Sequence, residues 1–466
     1  MPSTGRTAVI GVPARELLLA RGGRGRSVEV GLRQAIRDGA LAAGTRLPSS
    51  RDLAAQLGVA RGTVTAAYTQ LVAEGYLTAK RGSGTTVAAV TAGVEEAAPA
   101  VRSARWGFDL RPGIPALGAF PRAEWQAAAK AGLASLSDDE LGYPDPAGLP
   151  ALRAELASYL GRVRSLPAAD VVVTHGVAEG QALLAFLLRA DGHRAIAVEN
   201  PTHPGSAEVF AAHGLRPVPV PVDEDGLDVA ALARSGCRAV LVTSAHQFPL
   251  GVVLGPARRR ALVEWARGCD GIVLEDDYDA EHRYDRPAVG PVRTIDRERV
   301  AYLGSVSKVL APALRLGWLV PPPALRERVV QRKRFSDLGC SPLPQAALAH
   351  LLRTGGYDRH LRRTRQLYRR RRDALLDAVA AHLPDWRPHG VAAGLHVVLR
   401  LPEGSDDAAL ERAAARRGVH APALRGYTLD GRTPFPGLVV GYAATSPDRL
   451  RAAVREIAAV PAAEYR

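Results

Sequence analysis

Cysteine is scarce in this chain: three in 466 residues, Cys237, Cys269 and Cys340, at unrelated spacings. That excludes a disulfide framework and a cysteine-rich metal cluster, and the three thiols read as small core residues in a reducing compartment. The chain also lacks a charged-then-apolar leader and any apolar run near the roughly 20 residues needed to span a bilayer. A cytoplasmic protein is expected. There is no internal repeat. His193, His282, His396 and the other histidines show no ligand spacing, so no metal is expected. Basic charge, in contrast, is plentiful: 61 Lys and Arg against 47 Asp and Glu give a formal charge of +14. Residues 1–88 hold twelve of those bases and five acids. Half of the excess therefore sits in less than a fifth of the chain, as a footprint for a polyanion would.

The length suggests two or three compact units, and the hydrophobic fraction of 47% is enough for a sizeable core. Residues 26–88 read as short helices followed by a Gly-rich hairpin, and 89–106 as an Ala/Val/Glu/Pro linker. From 107 onward, short β-branched runs alternate with Ala/Leu-rich stretches, at Val171–Thr174, Ala195–Val198, Val218–Val222, Val240–Thr243, Ile272–Leu274 and Val300–Leu303. Such alternation predicts an α/β domain with a largely parallel sheet between helices. A small α+β lobe is expected over about 365–466, with a long Arg-rich helix, a strand at Leu395–Leu401 and a terminal helix.

Within the basic segment, Leu47-Pro48-Ser49-Ser50-Arg51-Asp52-Leu53-Ala54 has the composition of a helix start, with Ser49 or Ser50 as cap. Gly58 ends that helix, and a turn leads to a second from Ala60 to Glu74. Val64, Ala67, Tyr68 and Leu71 fall on one face of it, leaving Arg61, Gly62, Thr63 and Thr65 at an exposed N-terminal end. Gly75 to Val87 alternates into a Gly turn and out again, a wing with a basic tip at Lys80 and Arg81. These sixty residues resemble the GntR family of winged helix-turn-helix regulators. The resemblance implies that Arg51, Arg61, Gly62, Thr63, Thr65, Arg81 and Gly84 contact double-stranded DNA. Packing or dimer contact alone would account for a helical hairpin, but not for its basic wing tip.

Three strand ends carry chemistry in the remainder. In Gly304-Ser305-Val306-Ser307-Lys308 a lysine closes a strand behind two hydroxyls, and Arg315 follows seven residues on. A Schiff base needs a lysine held on rigid backbone, and a nearby phosphate needs hydroxyl and guanidinium donors. Val273-Leu274-Glu275-Asp276-Asp277-Tyr278-Asp279 places acids at an apolar strand end, which is costly unless each has a role or reaches solvent. Val172-Val173-Thr174-His175-Gly176-Val177-Ala178 is a strand, a Gly turn and a helix start, whose N–H groups suit a phosphate.

In this order the three motifs resemble fold-type I, pyridoxal-phosphate-binding aminotransferases over residues 107–466. Joined to the winged helix, the whole resembles the MocR subgroup of GntR regulators. The resemblance implies pyridoxal 5'-phosphate as cofactor, with Lys308 as the Schiff-base lysine, Asp276 on the pyridine nitrogen and Tyr278 on the ring oxygen. Ser305, Ser307, Arg315 and the Gly176, Val177 and Ala178 amides would hold the phosphate. His246 or Gln247 would lie beside the ring, and His203 takes the place of the aromatic that stacks on it. Tyr143, in Leu141-Gly142-Tyr143-Pro144, would reach the cofactor of another subunit, which implies a domain-swapped homodimer. One departure matters: aminotransferases bind the substrate carboxylate with an arginine, and Val439 stands at the expected position. Arg425 and Arg432 are the nearby substitutes. The leading expectation is a regulator whose effector is pyridoxal phosphate or its adduct with a small amino compound. The rivals are an active aminotransferase with an attached DNA-binding module, and a domain that has lost its cofactor. The cluster Arg362, Arg363, Arg365 and Arg369–Arg372 reads as a solvated helix face, with Leu361, Tyr368 and Leu375 on its buried side.

Overall fold

The computed structural model describes residues 27–80, 84–89, 106–167, 170–285 and 289–466. The chain divides into two compact units between Ala104 and Arg105. The expected linker lies almost wholly outside the described residues, as does Arg81.

In the first unit, helix α1 (Ser27–Arg37) packs on α3 (Arg61–Ala73), which follows α2 (Ser50–Leu57) after a turn. Ser49, not Ser50, is the cap: its hydroxyl accepts from the Asp52 N–H at 3.2 Å. Gly58, at φ 66°, closes α2 in the left-handed conformation that a side chain disfavours. Val64, Ala67, Tyr68 and Leu71 are buried as their spacing predicts, against Val28, Leu32, Leu53 and Leu77. The wing is the antiparallel pair β1 (Leu77–Lys80) and β2 (Gly84–Val87), with Lys80 opposite Gly84.

The second unit is built on an eight-stranded sheet. In chain order its strands are β3 (Val172–Thr174), β4 (Ala195–Asn200), β5 (Arg216–Asp223), β6 (Gly226–Leu227), β7 (Ala239–Val242), β8 (Ile272–Asp276), β9 (Val300–Ser305) and β10 (Gly317–Val320). Their spatial order is β3-β10-β9-β8-β7-β4-β5-β6. β9, β8, β7, β4 and β5 run parallel, as the alternating sequence predicts. β10 inserts antiparallel between β9 and β3, which that alternation does not reveal. Gly-Trp-Leu-Val is too short a run to declare itself, and the segment 306–316 that links it to β9 holds a 3-10 helix at Pro312–Leu314 but no α-helix. The central strand β9 is buried on both faces over Val300–Leu303, and the end strand β3 is buried as well at Val171–Val173.

The smaller lobe has the expected strand, here β12 (His396–Arg400), between β11 (Arg387–His389) and β13 (Gly437–Gly441). Its Arg-rich helix, Gly356–His382, starts nine residues earlier than expected. The lobe also takes in the start of the unit, because Phe108–Asp109 pairs with Val419–His420. Arg362, Arg363, Arg365, Arg369 and Arg370 are exposed, whereas Arg371 and Arg372 are half-buried, the former bonded to the Ala443 carbonyl. Of the cysteines, Cys237 and Cys340 are buried, but Cys269 caps a helix end and is only partly covered, a correction to the core role expected of it. No described helix is long and apolar enough to cross a membrane.

Candidate functional site

Parallel strands deliver their C-terminal ends to one edge of the sheet, and that is where open α/β sheets bind ligands. Asp276 ends β8 and lies opposite Leu303 of β9, two residues before Ser305. Ser305 in turn faces Gly317 across the antiparallel pair. Gly317 abuts the turn after β3: a Cβ there would lie 2.7 Å from the Gly176 Cα, so only glycine lets β10 approach. The three strand-end motifs thus meet in space.

At the phosphate-suited corner, Gly176 (φ 92°) caps helix α4 (Val177–Ala190) without any side-chain cap. The N–H groups of Val177 and Ala178, in the first turn, therefore have no intrahelical or side-chain cap partner among the described residues. The exposed Arg315 guanidinium lies against this turn, with Nη1 3.4 Å from the position of a Gly176 Cβ. Ser305 Oγ accepts from the Ser307 N–H at 3.3 Å, which brings both hydroxyl residues to the same corner. Backbone amides, hydroxyls and a guanidinium converging on one corner make an anion cradle.

Lys308 follows β9 in a turn. Its Nζ donates to the Gly113 carbonyl at 2.7 Å, and Gly113 (φ 79°) leaves room for it, since a Cβ would come within 3.1 Å of that nitrogen. Burial pushes the Lys308 ammonium pKa down, against the opposing charges of Asp279 and Asp276. A lowered pKa favours the free amine, the form that condenses with an aldehyde.

The three acids at the end of β8 have three different fates. Glu275 is bound by the Ser244 hydroxyl and by the Val292 and Arg293 N–H groups at 2.7 and 3.1 Å. Asp277 pairs with the buried Arg164 at 2.6 Å and accepts from Tyr302 at 2.7 Å. Asp276 has only a long bond from the Gln181 amide at 3.5 Å, and its Oδ1 is buried without a partner among the described residues. Burial, reinforced by Asp277, lifts its carboxyl to about 7, with Lys308 opposing. Two acids serve the scaffold, and the third keeps a buried oxygen without a hydrogen-bond partner among the described residues.

In the loop after β7, His246 and Gln247 are engaged in different ways. The Gln247 amide is taken up by backbone, donating to the Pro201 carbonyl just after β4 at 2.9 Å and to the Phe248 carbonyl at 2.7 Å, and accepting from the Leu250 N–H. His246 Nδ1 meets both Asp279 carboxylate oxygens, at 3.0 and 3.1 Å, and the Tyr278 hydroxyl at 3.0 Å. Burial raises the Tyr278 phenol, helped by Asp279 and Asp276. His203 stands at the N-cap of the helix Pro204–Ala212, which follows β4, and packs on Phe248 at 5.6 Å between ring centres. Its imidazole is pushed down by burial and then by the charge of Lys308. Tyr143 stands apart from this set, 88% exposed.

Sequence reasoning missed Gly113, Gln181 and Asp279, and two side chains from the smaller lobe's side, His396 and Tyr427, which pack on Phe248 at 5.0 and 5.4 Å. The acid-rich run after β8 was the available signal for Asp279; the others carry none. At the expected carboxylate position, Val439 is fully buried among Val222, Leu250, Val398 and Leu424. Arg425 is held by Asp407 at 3.1 Å, and Arg432 is exposed.

In the first unit, Arg51, Arg61, Gly62 and Thr65 are exposed and Thr63 half-buried. Arg61 Nε makes a single long contact, 3.4 Å to Ser50 Oγ, and the Thr65 hydroxyl bonds the Arg61 carbonyl at 3.0 Å. Gly84, at φ 84°, faces the Arg46 guanidinium.

The comparisons with known proteins agree with both units. Residues 24–87 match the bacterial regulatory proteins of the gntR family, and residues 116–457 match aminotransferase class I and II. The HTH-type pyridoxine biosynthesis transcriptional regulator PdxR of Corynebacterium glutamicum is 34% identical over 435 residues, 91% of this chain and 93% of that one. The probable rhizopine catabolism regulatory protein MocR of Rhizobium meliloti is also 34% identical, over 91% of each chain. Among solved structures, the multiple substrate aminotransferase of Thermococcus profundus superposes with a TM-score of 0.71 at 26% identity, covering 78% of this chain and 93% of that one.

Proposed function

Since the chain belongs to the MocR-type branch of the GntR-family transcription regulators, with a class I and II aminotransferase domain, we propose that it binds operator DNA and that pyridoxal phosphate in its large unit governs that binding. The carrying observation is the buried, partnerless Asp276 Oδ1 beside a largely enclosed lysine and an anion cradle. Those residues fit the cofactor. Asp276 would pair with a protonated pyridine nitrogen, and the Val177 and Ala178 amides with Arg315, Ser305 and Ser307 would hold the phosphate. When bound, the cofactor supplies an aldehyde and an electron-withdrawing ring. Lys308 supplies the amine, Asp276 holds the proton at the ring nitrogen, and Tyr278 with His246 lines the ring-oxygen side.

We read the large unit as a sensor rather than an efficient enzyme, because a packed valine stands where aminotransferases clamp a carboxylate and Arg425 is already paired. A small amino compound that displaces Lys308 is a second effector this arrangement admits. Exposed Tyr143 would complete the cofactor site of a second copy in a domain-swapped homodimer, and the pairing would set the spacing of two winged helices on DNA in the cytoplasm. Division into a DNA-binding domain (1–88), a linker (89–106) and an effector domain (107–466) follows. Genes of vitamin B6 or amino-acid metabolism are the target classes, the first in keeping with the name of the Corynebacterium relative.

Reduction with borohydride after loading with pyridoxal phosphate, then peptide mass mapping, tests the site. The cofactor mass is expected on the peptide containing Lys308. Its absence there contradicts the proposal.

A further inference from the structure

Four side chains that the cofactor reading does not use converge just behind the phosphate corner. His175 precedes Gly176, and Glu179 lies in the first turn of α4. Asp337 ends helix α5 (Arg326–Asp337), and Cys340 follows three residues later. One ligand atom from each of these four residues lies within 4.8 Å of all the others. His175 Nδ1 is 3.3 Å from Glu179 Oε2, 3.2 Å from Asp337 Oδ2 and 3.4 Å from Cys340 Sγ. Zinc bonds of about 2.0–2.3 Å to nitrogen, oxygen and sulfur give a tetrahedron whose edges are about 3.3–3.6 Å. The two separations to oxygen match such edges to within about 0.1 Å, and the one to sulfur is about 0.1–0.2 Å shorter than a nitrogen–sulfur edge. We propose that His175, Glu179, Asp337 and Cys340 form a zinc site, a role that the histidine spacing in the sequence does not suggest.

Charge supports this. Lys333, wholly buried, donates to Glu179 Oε1 and Asp337 Oδ2 at 2.6 Å each. That leaves Glu179 Oε2 turned toward His175. Two carboxylates and a thiolate carry three negative charges; Zn²⁺ and the Lys333 ammonium carry three positive ones, so the loaded cluster is neutral. Zinc takes the place of the Cys340 thiol proton, which leaves to solvent. The His175 side chain is 41% exposed and opens the way in, while Cys340 closes the buried side. An ion there ties the first turn of α4, whose outer N–H groups make the phosphate corner, to the end of α5.

Cobalt(II) titrated into tag-free, metal-stripped full-length protein tests the site, because thiolate ligation gives a charge-transfer absorption and four-coordination gives intense visible bands. One equivalent per chain is expected, displaced by zinc. The charge-transfer band should vanish in Cys340→Ser and persist in Cys237→Ser. His175→Asn alters a half-exposed position and spares the core. It should weaken cobalt binding at least about tenfold, the lower end of what even an outer-shell partner contributes. Failure to bind, with Lys333 remaining the only cation of the cluster, overturns the proposal. So does a charge-transfer band that survives in Cys340→Ser, or unchanged affinity in His175→Asn.

Discussion

The two units present their candidate chemistry in opposite ways. In the winged helix, Arg51, Arg61 and Thr65 stand exposed on a finished core and make few internal bonds, so their potential is directed at something outside. In the large unit, Asp276, Tyr278, His246 and Lys308 are enclosed, and burial displaces the ionisation of Lys308, Asp276 and Tyr278. A surface that meets a polyanion needs only accessible bases at the right spacing. A pocket that receives a small charged ring needs buried groups whose compensation arrives with the ligand. The first kind of site tolerates the loss of one contact, and the second does not.

Lys308→Ala should give the largest effect: complete loss of the reducible cofactor adduct by mass, with folding and cofactor-free DNA affinity retained. Loss of DNA affinity without cofactor would break the separation between the units. Gly317→Ala comes next. It forces a methyl onto the Gly176 backbone, so it should lower thermal stability by about 1–3 kcal/mol and weaken cofactor binding as well. A thermal melt and a cofactor titration read both; an unchanged melt would refute the close approach of β10.

Arg61→Ala should weaken operator binding by on the order of 1–3 kcal/mol if the arginine is bidentate to a base, with the adduct at Lys308 unaffected. Asp276→Asn sharpens the contrast through pH. The folded value of about 7 lies above that of an unfolded Asp, so this group's stabilisation is present below about pH 4 and is lost as pH rises to about 7. Cofactor-free Asp276→Asn should therefore gain melting temperature over the wild type at pH 8 relative to pH 5, while binding the cofactor less well. A difference between the two melts that does not change with pH would count against the buried carboxylate. Arg425→Ala should have the smallest effect on ligands. Its guanidinium serves Asp407, so amino-compound affinity, read by the cofactor's absorbance, should be unchanged.

Legibility in the sequence follows the same division. The winged helix can be read almost residue by residue, because helical periodicity reports burial directly: Val64, Ala67, Tyr68 and Leu71 face in, and what remains faces out. The parallel strands and the three strand-end motifs are legible because an apolar run that stops abruptly at Gly, Asp or Lys marks both the end of a buried strand and a polar group held at its edge. β10 is not legible, since four residues carry no period and no α-helix sets them off from β9. Nor is the commitment of Gln247 to the Pro201 and Phe248 carbonyls, or the pairing of Arg425 with Asp407, because spacing along a chain does not say where a long side chain ends. Gly113 and His396 come from segments far away in sequence, and only the fold brings them to the pocket. Histidine spacing, on which the expectation of no metal rests, does not register a cluster contributed by two separate helix ends.

The most direct test is binding to the DNA upstream of the protein's own gene, titrated with pyridoxal phosphate, for wild type and Lys308→Ala side by side. A cofactor-dependent change of affinity or footprint in the wild type, absent in the variant, is the predicted result. Equal DNA binding with and without cofactor in the wild type would contradict it.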